Sequence, residues 1–330
     1  MSSLPDVVRL LPSFDAERLQ ADLESVKAHF IGHANPTKAY SDEGDAGGWG
    51  MLPLRIPGGD PDRVGQTNGG REEFADTPYM KSTPYIREIL DSLRVPLRGV
   101  RLSAHEAGAV VQEHIDRPYG LEIGWVRLHI PIQTNDRAVF FVNGKPNRWK
   151  PGEFWYANIV RPHRLINEGD ERRIHLLIDC YISKELFELF PEADRVGIKD
   201  EDVIFYQQEQ PLPEELSGLS GTLRMPASFI NQFPDDPSEA QWHAEDQPEV
   251  EGKLEVQDGR IVLWAAGRGM AFAHLGNSEF RPLCWSKERT MTLDSRDGRA
   301  WATFRCRRGS KVVETARQQP LLQGVTLPTR

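Results

Sequence analysis

His114 and Asp116 stand two residues apart in His114-Ile115-Asp116, and His163 and Arg173 follow further along the chain. Two histidines and one carboxylate form the facial ligand set of non-haem Fe(II) oxygenases, which leaves open positions on the metal. Residues two apart on a strand point to the same side, so His114 and Asp116 can grip one ion from one short segment. A third ligand can then come from elsewhere. His163 offers it, in Val160-Arg161-Pro162-His163-Arg164-Leu165-Ile166-Asn167, just after a Pro-Gly turn and an aromatic segment. The positions left empty have room for a bidentate 2-oxoacid and O2.

The pair alone is weak, because nine histidines among forty-nine acidic residues would produce about one such match by chance. The parity of neighbouring segments strengthens it. In Trp125-Val126-Arg127-Leu128-His129-Ile130-Pro131-Ile132, Arg127 and His129 share one face while Val126, Leu128, Ile130 and Ile132 share the other. In Arg173-Ile174-His175-Leu176-Leu177-Ile178-Asp179, Arg173 and His175 face one way with Leu177 and Asp179. Polar faces on successive strands fit the lining of a common pocket in a barrel or sandwich. They also fit the solvent faces of an antiparallel sheet.

These residues resemble the aspartyl/asparaginyl β-hydroxylase family, which includes bacterial proline hydroxylases of the iron and 2-oxoglutarate type. The resemblance runs from about Val100 to Cys180: Arg101-Leu102-Ser103, the pair at 114 and 116, Arg127-Leu128-His129, Lys150-Pro151-Gly152-Glu153-Phe154-Trp155, His163 with Asn167, and Arg173-Ile174-His175-Leu176. Upstream, Gly48-Trp49-Gly50-Met51-Leu52-Pro53-Leu54-Arg55 also looks like a segment of that family. The resemblance says little about residues after about 195.

The resemblance implies His114, Asp116 and His163 as ligands of Fe(II), and Arg173 as the partner of the distal carboxylate of 2-oxoglutarate. Arginine suits that task because its planar fork meets a carboxylate with two hydrogen bonds. Ser103, Arg127, His129 and His175 match positions around the co-substrate or substrate. O2 is the second co-substrate, and ascorbate is an expected support for activity. The animal aspartyl hydroxylases have Gly where this chain has Asp116, so the full triad is closer to the bacterial proline-hydroxylase pattern. A carboxylate at that place favours hydroxylation, where Ala or Gly would open a site for chloride.

Two rival readings stay open. His163 and Asn167 behind Pro151-Gly152 also resemble half of the general cupin pattern, which suggests a cupin-type metal enzyme that does not use 2-oxoglutarate. Arg173 separates the two, since such an enzyme has no need of a carboxylate clamp ten residues past the distal histidine. The other rival is a binding protein without turnover. An amino acid or an amino-acid residue in a peptide is the expected substrate, with Arg55, Arg127 and Arg161 available to its carboxylate.

The elements that must position these residues are mainly strands. A helix is expected near 15–30, with Leu19, Leu23, Val26 and Phe30 on one stripe. Another follows Thr83 as cap and Pro84 at its first turn, running to about Arg94 with Ile86, Ile89, Leu90 and Leu93 inward. Between them, Ile31 to Pro78 is rich in Gly, Asp, Asn and Pro. It reads as a strand near Trp49 to Ile56 plus a lid over the site. Its paired glycines form no GxGxxG or Walker loop. Asn143-Gly144 is a hairpin turn, and Lys150-Pro151-Gly152 is another. Short strands with such turns from Gly99 to Cys180 predict a double-stranded β-helix of the jelly-roll or cupin-like kind, with flanking helices. Ser183 caps a short closing helix, Lys184 to Phe190.

Residues 1–198 are thus expected to form the oxygenase domain, and 199–330 a linker and a small all-β accessory module. In the latter, Lys253–Val256, Arg260–Trp264, Met270–Ala273, Thr290–Leu293 and Trp301–Arg305 alternate as strands, with turns at Asp258-Gly259 and Asp297-Gly298. An open barrel is one form this module could take, binding part of a substrate, mediating homodimer contacts or serving as a plain structural appendage. His243 and His274 read as ordinary surface or packing histidines.

The chain's 330 residues leave room for a sizeable core. Cys180, Cys284 and Cys306 are too few and too widely spaced for a disulfide framework or a cysteine zinc site. A net charge of -9 argues against a nucleic-acid partner, which calls for a concentrated basic face. No apolar run reaches spanning length and no signal-peptide pattern opens the chain, so a cytoplasmic protein without membrane contact is expected.

Overall fold

A computed structural model describes residues 4–33, 48–63, 70–230, 248–265, 267–320, 322–324 and 326–329. Much of the expected lid, most of the acidic run from Phe233 to Glu251, and His243 lie outside the described residues. The chain divides into two compact units: Met1–Gly65, Phe74–Leu121 and Trp125–Asp200 form the first, and Gln66–Glu73, Glu122–Gly124 and Glu201–Arg330 the second. The division is therefore not one cut along the chain. Among the described residues, no helix is long and apolar enough to cross a membrane.

The first unit contains strands β1 (Val7–Ser13), β2 (Ile31–His33), β3 (Trp49–Pro57), β4 (Phe74–Asp76), β5 (Leu97–His105), β6 (Val110–His114), β7 (Trp125–Gln133), β8 (Ala138–Val142), β9 (Lys145–Asn147), β10 (Glu153–Ala157), β11 (His163–Asn167) and β12 (Arg173–Tyr181). They form a larger sheet in the order β1-β10-β7-β12-β5-β3-β2, with β4 on β3, and a smaller one in the order β6-β11-β8-β9. From β5 to β8, and again from β10 to β12, the chain alternates between the sheets. That winding is the expected double-stranded β-helix. Phe140, Val142 and Leu165 of the smaller sheet pack with Trp149, Ala157 and Ile159 in one buried cluster.

The alternating strands resolve the question of parity. Every residue of β12 is buried, and in β7 only the last is not. Ile174, Leu176 and Ile178 fill one side of β12, while Arg173, His175 and Asp179 are as buried on the other. The polar faces line the interior and are not solvent surfaces.

Helix α1 (Ala16–Val26) packs on β7 and stops before Phe30, which the helical stripe had included. Its Leu19, Leu23 and Val26 are buried, each contributing about 1.5–3 kcal/mol relative to exposure. Asp15 caps it by accepting from the amides of Glu17 and Arg18 at 2.9 and 3.1 Å. Helix α2 (Pro84–Leu93) corrects an expectation: Thr83 precedes it but makes no side-chain cap. Its hydroxyl donates instead to the carbonyl of Met80 at 3.2 Å. The cap comes from α1, where the buried carboxylate of Asp22 accepts from the Ile86 amide at 2.7 Å. Ser183 does cap α3 (Lys184–Glu188), which ends before Phe190.

Asn143 and Gly144 have φ of 50° and 75°, the left-handed pair that a two-residue hairpin needs to match strand twist. The hairpin joins β8 to β9, with Val142 opposite Lys145.

The second unit is one antiparallel sheet of β13 (Ser220–Pro226), β14 (Glu249–Gln257), β15 (Arg260–Ala265), β16 (Arg268–Gly276), β17 (Glu279–Pro282), β18 (Arg289–Arg296), β19 (Arg299–Arg308), β20 (Lys311–Gln318) and β21 (Leu322–Gln323). Each strand from β13 to β20 pairs with the next, and β21 pairs with β13. The sequence reading missed β13, β17, β20 and β21. β17 is only four residues long, and β20 is a polar outer strand without a buried face, so neither carries the alternation that marks a strand. The sheet curls, and Leu223, Leu254, Leu263, Phe272, Phe280, Met291 and Phe304 meet in one buried cluster. The Gln319 amide bridges its ends, accepting from the Arg224 amide at 2.7 Å and donating to the Arg224 carbonyl at 3.1 Å. His274 is a packing histidine whose Nδ1 lies 2.9 Å from the carbonyl of Pro211.

Candidate metal centre

β6 and β11 pair so that His163 lies directly opposite His114. Their rings are 4.3 Å apart. β6 ends at His114, so Asp116 is beyond the strand and not on it as expected. The chain is held there by the Asp116 amide, which donates to the Ile159 carbonyl at 2.8 Å. Ile115 turns outward and is one of the more exposed large apolar side chains.

Each histidine is oriented by a carbonyl two residues before it. His114 Nδ1 is 2.8 Å from the Gln112 carbonyl, and His163 Nδ1 is 3.0 Å from that of Arg161. A carbonyl can only accept, so Nδ1 carries the hydrogen, and in the neutral ring Nε2 is then the nitrogen with a free lone pair. His114 Nε2 lies 3.6 Å from Asp116 Oδ1, too long for a hydrogen bond. One ligand atom from each of His114, Asp116 and His163 lies within 4.8 Å of the others. Two donors bound to one ion at right angles would lie about 3 Å apart. As a donor set, two imidazole nitrogens and one carboxylate oxygen suit a divalent first-row metal such as Fe(II). Burial lowers the pKa of His163, which favours the neutral, ligating form.

The other oxygen of Asp116 is already taken. Arg127 Nη1 donates to Asp116 Oδ2 at 2.8 Å, and the same guanidinium meets Asp179 through Nε at 2.7 Å and Nη2 at 3.1 Å. Arg127 and Asp179 are cross-strand partners on β7 and β12. Tyr119 completes the cluster, donating to Asp179 at 2.9 Å and accepting from Arg127. Burial would raise the pKa of Asp179, but Arg127 and Arg101 hold it well below the ordinary carboxylate range. Four of the five N–H groups of Arg127 are thus engaged within the protein. The expectation that it lines the co-substrate meets a side chain already bound beside the triad.

Arg173 sits on the larger sheet, opposite His105 of β5. It is buried, and among the described residues no carboxylate lies within ion-pair reach of it. Burial pushes its pKa down to about 9. Its hydrogen-bonding contact is with His175 Nδ1 at 3.1 Å. Ser103 lies opposite His175 across β5 and β12. Around them, both ring nitrogens of His129, Nδ1 of His105 and Nε1 of Trp149 are buried with no hydrogen-bond partner among the described residues. Such orphans are costly, and they are what a polar ligand would satisfy. Aromatic contacts link this region to the triad: Phe140 lies 5.7 Å from His163, 5.4 Å from Trp149 and 5.9 Å from His129. Its ring also lies 5.8 Å from the Arg173 guanidinium.

The fold therefore brings His114, Asp116 and His163 together on the smaller sheet and its continuation. Ser103, Arg127, His129, Arg173 and His175 lie on the larger one. Arg55 and Arg161 are paired elsewhere, with Asp76 at 2.8 Å and Asp6 at 3.4 Å. Sequence reading missed Tyr119, Phe140, Trp149 and His105, and it left Asp179 without a role. An acid on an otherwise apolar strand, in phase with arginine and histidine, was the available signal for Asp179. Asn167, read as part of a cupin pattern, is a fully buried clamp. Its Nδ2 donates to the carbonyls of His105, Glu106 and Glu171 at 3.2, 2.9 and 2.9 Å, and its Oδ1 accepts from Asn135 and Gly169 at 3.1 and 3.3 Å.

Comparison with known proteins places relatives beside this geometry. Residues 13–182 match the family model described as Aspartyl/Asparaginyl beta-hydroxylase. An L-proline cis-4-hydroxylase of Rhizobium meliloti (strain 1021) is 27% identical over 168 residues, covering 50% of this chain and 57% of that protein. The chain thus spans little more than half the length of this curated relative. Among solved structures, an oxidoreductase of the 2OG-Fe(II) oxygenase family from Burkholderia pseudomallei is 15% identical, with a TM-score of 0.38 over 53% of this chain and 85% of its own. A Trichoplax adhaerens prolyl hydroxylase in complex with a hypoxia inducible factor peptide is 12% identical, with a TM-score of 0.35 over 55% and 86%.

Proposed function

This chain belongs to the aspartyl/asparaginyl β-hydroxylase family, and on that premise we propose that it is an Fe(II)- and 2-oxoglutarate-dependent dioxygenase. It hydroxylates an unactivated C–H bond of an amino acid or of an amino-acid residue in a peptide. The observation that carries the reading is the convergence of His114, Asp116 and His163 in a unit that also buries the Arg173 guanidinium with no carboxylate partner among the described residues. A cupin-type enzyme without 2-oxoglutarate would leave that buried charge unexplained. The roles follow residue by residue: His114, Asp116 and His163 hold the metal, Arg173 the distal carboxylate, and Ser103, His129 and His175 the surroundings of the co-substrate.

When bound, Fe(II) supplies with 2-oxoglutarate and O2 the oxidising power for hydroxylation, with release of succinate and CO2. The protein's part is geometry and environment. The Gln112 and Arg161 carbonyls fix the two imidazoles with Nε2 free. The buried guanidinium of Arg173 receives a carboxylate away from bulk water, where a charge-assisted bidentate contact is strong. Phe140 and Trp149 shield the space between the two from water. The chemistry is assigned to residues 1–198, with 199–330 as an accessory module. An amino-acid or peptide substrate, a cytoplasmic location and a homodimer complete the reading.

The test is succinate release from 2-oxoglutarate with Fe(II) and ascorbate, screened over free amino acids, proline included, and short peptides. Substrate-stimulated succinate is expected from the parent and its loss from Asp116→Ala. Equal release by that variant on the best substrate would overturn the triad assignment.

A further inference from the structure

Asp116 has two oxygens, and a carboxylate that binds a metal through both fills two coordination positions. Only single-oxygen ligation leaves the three adjacent positions that a bidentate co-substrate and O2 require. Asp116 lies beyond the end of β6 and its side chain is partly exposed, so the strand itself does not hold its rotamer. Its Oδ2 is instead bound by Arg127 Nη1 at 2.8 Å, while Oδ1 faces His114 Nε2. Arg127 in turn is fixed from behind, by two bonds to Asp179 and one to Tyr119. Tyr119 closes the ring by donating to Asp179 at 2.9 Å.

We propose that Asp179, with Tyr119, is a positioning residue that holds Arg127 against Asp116 and so restricts Asp116 to one oxygen toward the metal. The inference rests on the metal reading of the triad. Asp179 touches neither metal nor co-substrate in this arrangement. It acts by keeping one guanidinium in register with one carboxylate across β7 and β12. A neutral side chain at 179 would leave Arg127 free to chelate Asp116 alone or to swing away. Either change alters the donor that Asp116 presents. Arg173 lies elsewhere on β12, so the distal carboxylate of 2-oxoglutarate should not sense the substitution.

The experiment compares parent, Asp179→Asn and Tyr119→Phe proteins, each checked for folding by circular dichroism. Mn(II) alone is titrated into metal-free protein, with affinity read from the free-ion electron paramagnetic resonance signal and coordinated water from proton relaxation. Asp179→Asn is expected to weaken Mn(II) about tenfold, within the range seen when partners of metal ligands are removed. It should also change the number of bound waters, while the KM for 2-oxoglutarate of the Fe(II) enzyme stays within about twofold. Tyr119→Phe, which deletes one hydroxyl and keeps the ring, should shift affinity in the same direction by less. Folded variants with parental Mn(II) affinity and hydration would overturn the proposal and make the cluster purely structural. If Asp179→Asn does not fold, parental Mn(II) affinity in Tyr119→Phe overturns it alone. A parent that neither binds Mn(II) nor releases succinate would instead sink the oxygenase reading.

Discussion

His114 and His163 are direct cross-strand partners on β6 and β11, with rings 4.3 Å apart and each Nδ1 tied to a carbonyl two residues upstream. Backbone register, not side-chain flexibility, sets the separation of the two imidazoles. A ligand pair so placed is ready before a metal arrives, and little ordering is needed on binding. Replacing either histidine by alanine should lower Fe(II) affinity on the order of 100-fold or more, beyond the loss typical of outer partners. Anaerobic metal titration of the folded variants checks this, and an unchanged affinity for either would remove that residue from the ligand set.

Arg173 should govern the co-substrate. Arg173→Ala is expected to raise the KM for 2-oxoglutarate by about 100-fold, equivalent to about 3 kcal/mol, with a much smaller effect on metal affinity. Arg173→Lys should recover only part of that, since an ammonium lacks the planar fork. Steady-state kinetics in varied 2-oxoglutarate decides the matter, and parental KM in Arg173→Ala would place the clamp elsewhere.

The same residue makes a prediction about stability. A buried cation with no carboxylate beside it among the described residues opposes folding, so a dianionic 2-oxoacid that binds only the folded state should raise Tm. At a hundred times its Kd the gain is about 2.7 kcal/mol. Thermal unfolding with and without 2-oxoglutarate should show the shift in the parent and lose it in Arg173→Ala.

His105, His129 and His175 predict acid lability. Burial holds the pKa of His105 down to about 3, and burial with nearby Arg127 or Arg173 keeps His129 and His175 well below the ordinary value of 6.5. Below pH 6.5 the unfolded chain binds protons that the folded one refuses, in the case of His105 down to about pH 3. Stability therefore falls as pH drops through that window, by up to about 1.4 kcal/mol per pH unit for each histidine. Urea unfolding of the metal-free protein at pH 7 and pH 5 measures the slope, and a flat profile would contradict the neutral, buried state of these rings.

Asn167→Ala should destabilise the first unit by about 3 kcal/mol, because it strands buried carbonyls of His105, Glu106 and Glu171. Asn167→Asp should be as harmful, since a carboxylate cannot donate to them. Denaturation midpoints test both, and a loss under about 0.5 kcal/mol would mean that water replaces the amide.

Much of this arrangement can be read along the chain. The phase of Arg127 with His129, and of Arg173 with His175, follows from the two-residue period of a strand, and Asn143-Gly144 announces its hairpin by the backbone it needs. The mainly β, double-stranded architecture follows from the same local signals. Chain-distant pairings do not. Nothing near Thr83 says that Asp22 will take over its capping role, and no local pattern marks β20, whose outer position leaves it polar.

The sequence by itself determined which side chains could bind a metal and a dicarboxylate, because ligand chemistry belongs to residue type and facing belongs to strand period. Only the tertiary structure decided which of them meet. Register across β6 and β11 set His163 against His114, and register across β7 and β12 gave Arg127 to Asp179 and Asp116. Such register comes from the packing of two whole sheets, a long-range free energy that no short stretch of chain contains.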